Sequence, residues 1–163
     1  MSASMRFGAE LHQGGVTFRL WAPAARRVEL MLDRVHPMQA QPEGWYEVTI
    51  AGAPAGTLYT YRIDGDIEVP DPASHFQPQD VSGPSEVIDH GLFEWHANEW
   101  RGRPWEDAVF LELHVGAFTS GGTFRSAIEK LDHLVDTGVT AIELMPIADF
   151  AGRRNWGYDG VLL

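Results

Sequence analysis

Glu112 and Glu143 are residues whose type and placement could do chemistry, because each lies inside an apolar run that reads as a strand. Neighbouring parallel strands would set the two carboxylates side by side, the arrangement of a paired acid–base site. His114 follows Glu112 by two residues and so shares its face. The more economical reading is structural: buried carboxylates need partners, and His114 is a candidate partner. The seven histidines, at 12, 36, 75, 90, 96, 114 and 133, contain no His-x-His or His-x-x-x-His step, and the chain has no cysteine. Transition-metal sites, disulfides and cysteine nucleophiles are therefore not expected. Gly14-Gly15 precedes a strand, Gly121-Gly122 lacks the Lys-Ser/Thr of a phosphate loop, and no Gly-x-Ser-x-Gly elbow is present. No cofactor is expected, and no complete catalytic set is visible.

The chain has 163 residues, with 12 Lys+Arg against 23 Asp+Glu, a formal net charge of −11. Such an acidic surface disfavours nucleic acid and anionic membrane as partners, since both need clustered cations. Hydrophobic residues at 44% and charged residues at 21% are the proportions of a folded globular chain. No apolar run approaches the roughly 18 residues of a membrane span, and the first residues lack the apolar core of a signal peptide. A cytoplasmic location is expected.

The elements that would hold these residues fall into two patterns. From Val16 to Val69 apolar residues alternate with polar ones, and turn signals recur every 8–12 residues or so, the signature of a β-sandwich. Val16, Phe18 and Leu20 share one face of a strand, and Thr17, Arg19 and Trp21 the other. Further strands are expected at Val28–Leu32, Trp45–Ile50, Thr57–Ile63 and Ile67–Val69, with Asp64-Gly65 as a hairpin turn. Between Pro70 and Asp107 the alternation stops, prolines recur, and Trp95, Trp100 and Trp105 supply aromatic surface for packing between domains or for stacking on sugars.

Ala108–Val115 then reads as a buried strand. A helix is expected over Phe124, Ala127, Ile128, Leu131, Leu134 and Val135, capped by Thr123 and Gly138, and Val139–Met145 is a second strand. Strand, helix and strand make one parallel βαβ unit. A closed eight-stranded α/β barrel takes about 250 residues, so this unit should leave its edges and an apolar face uncovered, to be met by a missing barrel segment or by self-association. The division expected is a sandwich over 1–89, an aromatic interdomain linker over 90–107, and the incomplete start of a barrel over 108–163.

Phe18-Arg19-Leu20-Trp21-Ala22-Pro23 resembles the opening strand of the immunoglobulin-like N-terminal domain on α-amylase-superfamily enzymes. Glu112-Leu113-His114-Val115-Gly116-Ala117-Phe118 and Ala141-Ile142-Glu143-Leu144-Met145-Pro146 resemble the first two barrel strands of the same enzymes. Pro70-Asp71-Pro72-Ala73-Ser74, Phe76-Gln77-Pro78, Gly83-Pro84-Ser85 and the run from Gly152 to Gly160 are together similar to the maltooligosyltrehalose trehalohydrolases. The fold implied is an N-terminal all-β immunoglobulin-like sandwich followed by the first βαβ unit of a truncated (β/α)8 barrel. The activity implied is retaining hydrolysis of the α-1,4 bond next to the terminal trehalose of maltooligosyltrehalose. In such enzymes the catalytic carboxylates stand on later barrel strands, so this chain alone is expected to be inactive.

The same resemblance gives the candidate substrate-binding residues. Tyr158 would stack on the sugar at the cleavage point. Asp159 and Asn155 would hydrogen-bond sugar hydroxyls or hold the loop in shape. Trp156 would pack beneath the loop with a weaker sugar contact, and Arg153 and Arg154 would be solvated. Two alternatives remain: a stand-alone glucan-binding module using Trp21 and Trp45, and a fragment of a branching enzyme.

Overall fold

The computed structural model describes residues 7–155 and 158–160. These form two compact units, residues 7–93 with 149–153, and residues 94–148 with 154–155 and 158–160. In the first unit the strands are β1 (Gly8–His12), β2 (Gly15–Trp21), β3 (Val28–Met31), β4 (Val35–Pro37), β5 (Gln39–Gln41), β6 (Trp45–Ala51), β7 (Leu58–Ile63), β8 (Ile67–Val69) and β9 (Ser85–Glu86). They make two antiparallel sheets, in the order β1-β2-β6-β5 and β4-β3-β7-β8, with β9 on β7.

The core lies between these sheets because alternation places one face of each strand inward. Val16, Phe18 and Leu20 of β2 meet Val28 and Leu30 of β3 and Tyr59 and Tyr61 of β7, all buried. Full burial of side chains of this size stabilises by roughly 1.5–3 kcal/mol each. The rings of Phe18 and Tyr59 meet edge to face at 4.8 Å, a geometry favoured by the aromatic quadrupole. The Asp64-Gly65 turn forms as expected, with φ of 52° and 90°, and pairs Ile63 with Ile67. Strands β1, β4, β5 and β9 were not anticipated. They are two to five residues long, too short for alternation to mark them, and are held by neighbouring strands.

One buried carboxylate joins the segment after β8 to this core. Asp71 is 1% exposed. Its Oδ2 accepts from the hydroxyls of Tyr59 at 2.8 Å and Tyr61 at 3.4 Å, and its Oδ1 from the Ala73 amide at 2.8 Å. The Asp71 amide donates to the Ser85 hydroxyl at 2.9 Å, and the single proton of the Tyr61 hydroxyl is shared between Asp71 and the Arg19 carbonyl in β2, 3.2 Å away. Burial is the largest influence on the Asp71 carboxyl and pushes its pKa up, against the hydrogen bonds that favour its charge.

The second unit contains β10 (Phe110–Leu113), α1 (Val115–Phe118), α2 (Phe124–Ile128), α3 (Leu131–Asp136) and β11 (Ala141–Leu144). β10 and β11 are parallel, Phe110 opposite Ala141 through Leu113 opposite Leu144. Both strands are shorter than their apolar runs, because pairing stops where the neighbouring strand ends. The single helix expected is two, since Lys130 at φ −105° and ψ 0° leaves the helical region between them. Thr123 caps α2 in a reciprocal box with Ser126, and Gly138 follows α3 at φ 88°. Leu134 is buried, but Phe124, Ile128 and Val135 of the same stripe are 52%, 63% and 68% exposed. Trp95, Trp100 and Trp105 are exposed, and the Trp105 ring lies 5.3 Å from that of Phe110.

Tyr59→Phe removes a donor to a buried carboxylate and should cost about 1.5–3 kcal/mol of stability, read by urea denaturation. Because the folded-state pKa of Asp71 is raised, its contribution is fullest below the unfolded value of about 3.9 and declines as pH rises through the folded value. Denaturation across that range should show the wild type losing ground to Asp71→Asn as pH increases.

Candidate functional site

The outward face of sheet β1-β2-β6-β5 gathers polar and aromatic side chains through register alone. Arg19 on β2 stands opposite Glu47 on β6, and Trp21 opposite Trp45. Gln41 of β5 lies beside Trp45. Arg19 donates through Nε to Glu47 at 2.6 Å and through a terminal nitrogen to Glu10 at 2.7 Å. Partial burial opposes its charge, but these hydrogen bonds prevail and raise its pKa above the ordinary value. Farther along, the hydroxyls of Thr17 and Thr49 meet at 2.8 Å, and His12 Nε2 lies 3.1 Å from Thr17 Oγ1.

A groove of about 380 Å³ opens on this face, lined by Arg19, Gln41, Pro42, Glu43, Trp45 and Glu47. Its rim is built from a constrained turn. Glu43 has φ 63°, a left-handed conformation uncommon for a residue with a side chain. Gly44 follows at φ 83°, where a Cβ would come within 2.6 Å of Pro23. Trp21 is 56% exposed, and its indole N–H donates to the Glu43 carbonyl at 3.0 Å. Phe7 meets Trp45 edge on at 5.0 Å. Trp21 is thus tethered while exposed, whereas Trp45 is half-buried beside Phe7. Sequence reading singled out Trp21 and Trp45 and set Arg19 on the face of Trp21, but missed Glu10, Glu47 and Gln41 as their companions. The available signal was that Arg19 alternates with Phe18 and Leu20 and so must share the outward face with Trp21.

In the second unit Glu112 and Glu143 are opposite each other on adjacent strands, as the sequence implied. The hydrogen-bonded cluster expected with His114 is absent among the described residues. Both glutamates are exposed on a two-stranded sheet, where water solvates them and no partner is required. The His114 Nε2–H donates to the Asn155 carbonyl at 3.1 Å, while its buried Nδ1 has no hydrogen-bond partner among the described residues.

The candidate loop residues are placed unequally. Asn155 is half-buried and contributes that backbone carbonyl. Tyr158 is 66% exposed, Asp159 is exposed, Arg153 and Arg154 are exposed, and Trp156 lies outside the described residues. Among the described residues no group of three His, Asp or Glu side chains is arranged to hold a metal, and no helix is long and apolar enough to cross a membrane.

The family model for carbohydrate-binding module 48, the isoamylase N-terminal domain, matches residues 6–74. A malto-oligosyltrehalose trehalohydrolase of Saccharolobus solfataricus is 48% identical over 98% of this chain and 28% of its own length. One from Deinococcus radiodurans is 44% identical over 95% of this chain and 26% of its own. The solved structure of a Salmonella typhimurium protein described as an alpha amylase aligns with a TM-score of 0.91 at 48% identity, covering 95% of this chain and 27% of that one. The chain therefore spans about a quarter of the length of the relatives it matches.

Like charges directly opposite on paired strands repel, and salt screens that repulsion. Glu143→Gln should raise the melting temperature at low ionic strength, and by less at high salt, as followed by circular dichroism.

Proposed function

We propose that this chain, which is similar to an N-terminal portion of malto-oligosyltrehalose trehalohydrolases, serves as the N-terminal part of a glycosidase that releases trehalose from maltooligosyltrehalose. The observation that carries this reading is the 48% identity maintained over 98% of the chain, across both units. A stand-alone glucan-binding module is not favoured, since the similarity runs through β10 to β11 and beyond the module model's end at residue 74. The same near-complete match to trehalohydrolases argues against a branching-enzyme fragment.

In this reading β10, the helical segment and β11 are the opening βαβ unit of a (β/α)8 barrel. Barrel active sites form at the C-terminal ends of strands, and in this reading the segment after β11 would bring Asn155, Tyr158 and Asp159 to that end. Tyr158 would offer a flat apolar ring to sugar C–H groups, and its exposure fits a face awaiting a ligand. Asn155 and Asp159 would bond sugar hydroxyls, and His114 would steady the loop through the Asn155 carbonyl.

Retaining hydrolysis takes two carboxyls roughly 5 Å apart across the scissile bond, one as nucleophile and one as acid then base. Glu112 and Glu143 are not assigned these roles, because the resemblance puts the chemistry on later strands. Purified 163-residue chain should release no trehalose from maltooligosyltrehalose, whereas a protein extended through the remaining barrel strands should release it, measured by chromatography of the products. Release by the chain alone, or none by the extended protein, overturns the proposal.

A further inference from the structure

We propose that the turn over residues 77–83, between β8 and β9, is a seat for the segment that follows β11, and that Asp80 in this turn is a positioning residue for the sugar-binding loop which that segment leads into. The inference deepens the proposed function, and it rests on that reading for the roles of Asn155, Tyr158 and Asp159.

Residues 149–153 come after β11 in the chain yet fall in the first unit, with residues 7–93. Asp149 and Phe150 are half-buried there, and Asp149 Oδ1 accepts from the Phe150 amide at 3.0 Å. The Gly152 amide donates to Asp80 Oδ2 at 3.4 Å. That bond is long, so its worth depends on how firmly the acceptor is held. Asp80 Oδ1 accepts from the Val81 amide at 2.7 Å, and the Asp80 carbonyl accepts from the Gly83 amide at 2.8 Å. One carboxylate oxygen thus fixes the turn, and the other faces Gly152. The Asp80 backbone has φ 78°, a left-handed conformation that aspartate enters more readily than most residues with side chains. Gln77 is only 9% exposed, and its side-chain amide donates to the Val81 and Gly83 carbonyls, each 3.4 Å away. At the base of the turn the Glu86 amide donates to the Phe76 carbonyl at 3.0 Å.

Phe76-Gln77-Pro78 and Gly83-Pro84-Ser85, the two ends of this turn, and Gly152, which opens the run to Gly160, are stretches that carry the trehalohydrolase resemblance. The seat gives them a common task. Gly152 lies a short stretch of chain before Tyr158, so anchoring it reduces the conformations open to the loop. Order that the loop would otherwise acquire only on binding sugar is then present beforehand. Loss of the anchor weakens substrate binding and leaves turnover of the bound complex unchanged.

Asp80→Gly removes the acceptor while permitting the left-handed backbone, and Asp80→Asn keeps one oxygen in a residue that also tolerates it. In the 163-residue chain, hydrogen–deuterium exchange read by mass spectrometry should be about threefold to tenfold faster in Asp80→Gly than in wild type for peptides containing Gly152, the factor expected for loss of one hydrogen bond. Asp80→Asn should fall between the two, and peptides from β2 and β7 should be unchanged. In the protein extended through the remaining barrel strands, Asp80→Gly should raise KM for maltooligosyltrehalose by about the same factor at nearly constant kcat, with partial recovery in Asp80→Asn. A merely structural defect would lower kcat at unchanged KM, by reducing the fraction of folded enzyme. Equal exchange at Gly152 in Asp80→Gly and wild type, or a loss confined to kcat, overturns the positioning role. Absence of trehalose release by the wild-type extended protein overturns the proposed function and this role with it, whereas the exchange measurement reads the anchor alone, so the two failures are distinguishable.

Discussion

A carboxylate removed from water must be met by hydrogen bonds or it unfolds the structure around it, and Asp71 imposes that condition on the first unit. Its two oxygens gather Tyr59 and Tyr61 from β7 and the amide of Ala73, while its own amide reaches Ser85 of β9. Tyr61 extends the arrangement to β2 through the Arg19 carbonyl. Both sheets and the irregular segment after β8 are therefore fastened to one another at a single buried point. Hydrophobic packing brings the sheets together without specifying an exact offset, whereas these directional bonds do specify one.

The consequence reaches the opposite surface of β2. The backbone of Arg19 is held from inside by Tyr61, and its side chain emerges outside between Glu10 and Glu47. The register that sets Arg19 against Glu47 also sets Trp21 against Trp45. Buried network and surface groove are thus two sides of one strand. Such coupling gives the outer face an order that exposed ion pairs, which contribute little to stability individually, could not supply.

The second unit is organised differently. Its two parallel strands and short helices satisfy their local hydrogen bonds, yet much of the apolar stripe on α2 and α3 remains exposed. Two-stranded sheets bury too little to be self-sufficient, and a further layer is the usual remedy. Coverage of only about a quarter of the relatives' length is consistent with that unmet surface.

Much of this was legible in the amino-acid sequence, because local periodicity is a one-strand property. The inward set Val16, Phe18 and Leu20, the Asp64-Gly65 turn and the Thr123 cap all follow from spacing within short windows. Motif similarity added the family. The βαβ pattern implied that Glu112 and Glu143 are neighbours, but most features that depend on pairing between distant segments were not settled by the sequence. Pro70-Asp71-Pro72 gave no sign that Asp71 would sink to 1% exposure beside two tyrosines, nor did Glu10, Arg19 and Glu47 announce a shared ion cluster. The helical stripe likewise concealed the break at Lys130, since apolar spacing records which face is buried and not whether the backbone stays continuous. Alternation assigns a residue to a face, but only the assembled sheets fix its neighbour across the strand, because inter-strand register is chosen by contacts far apart in the chain.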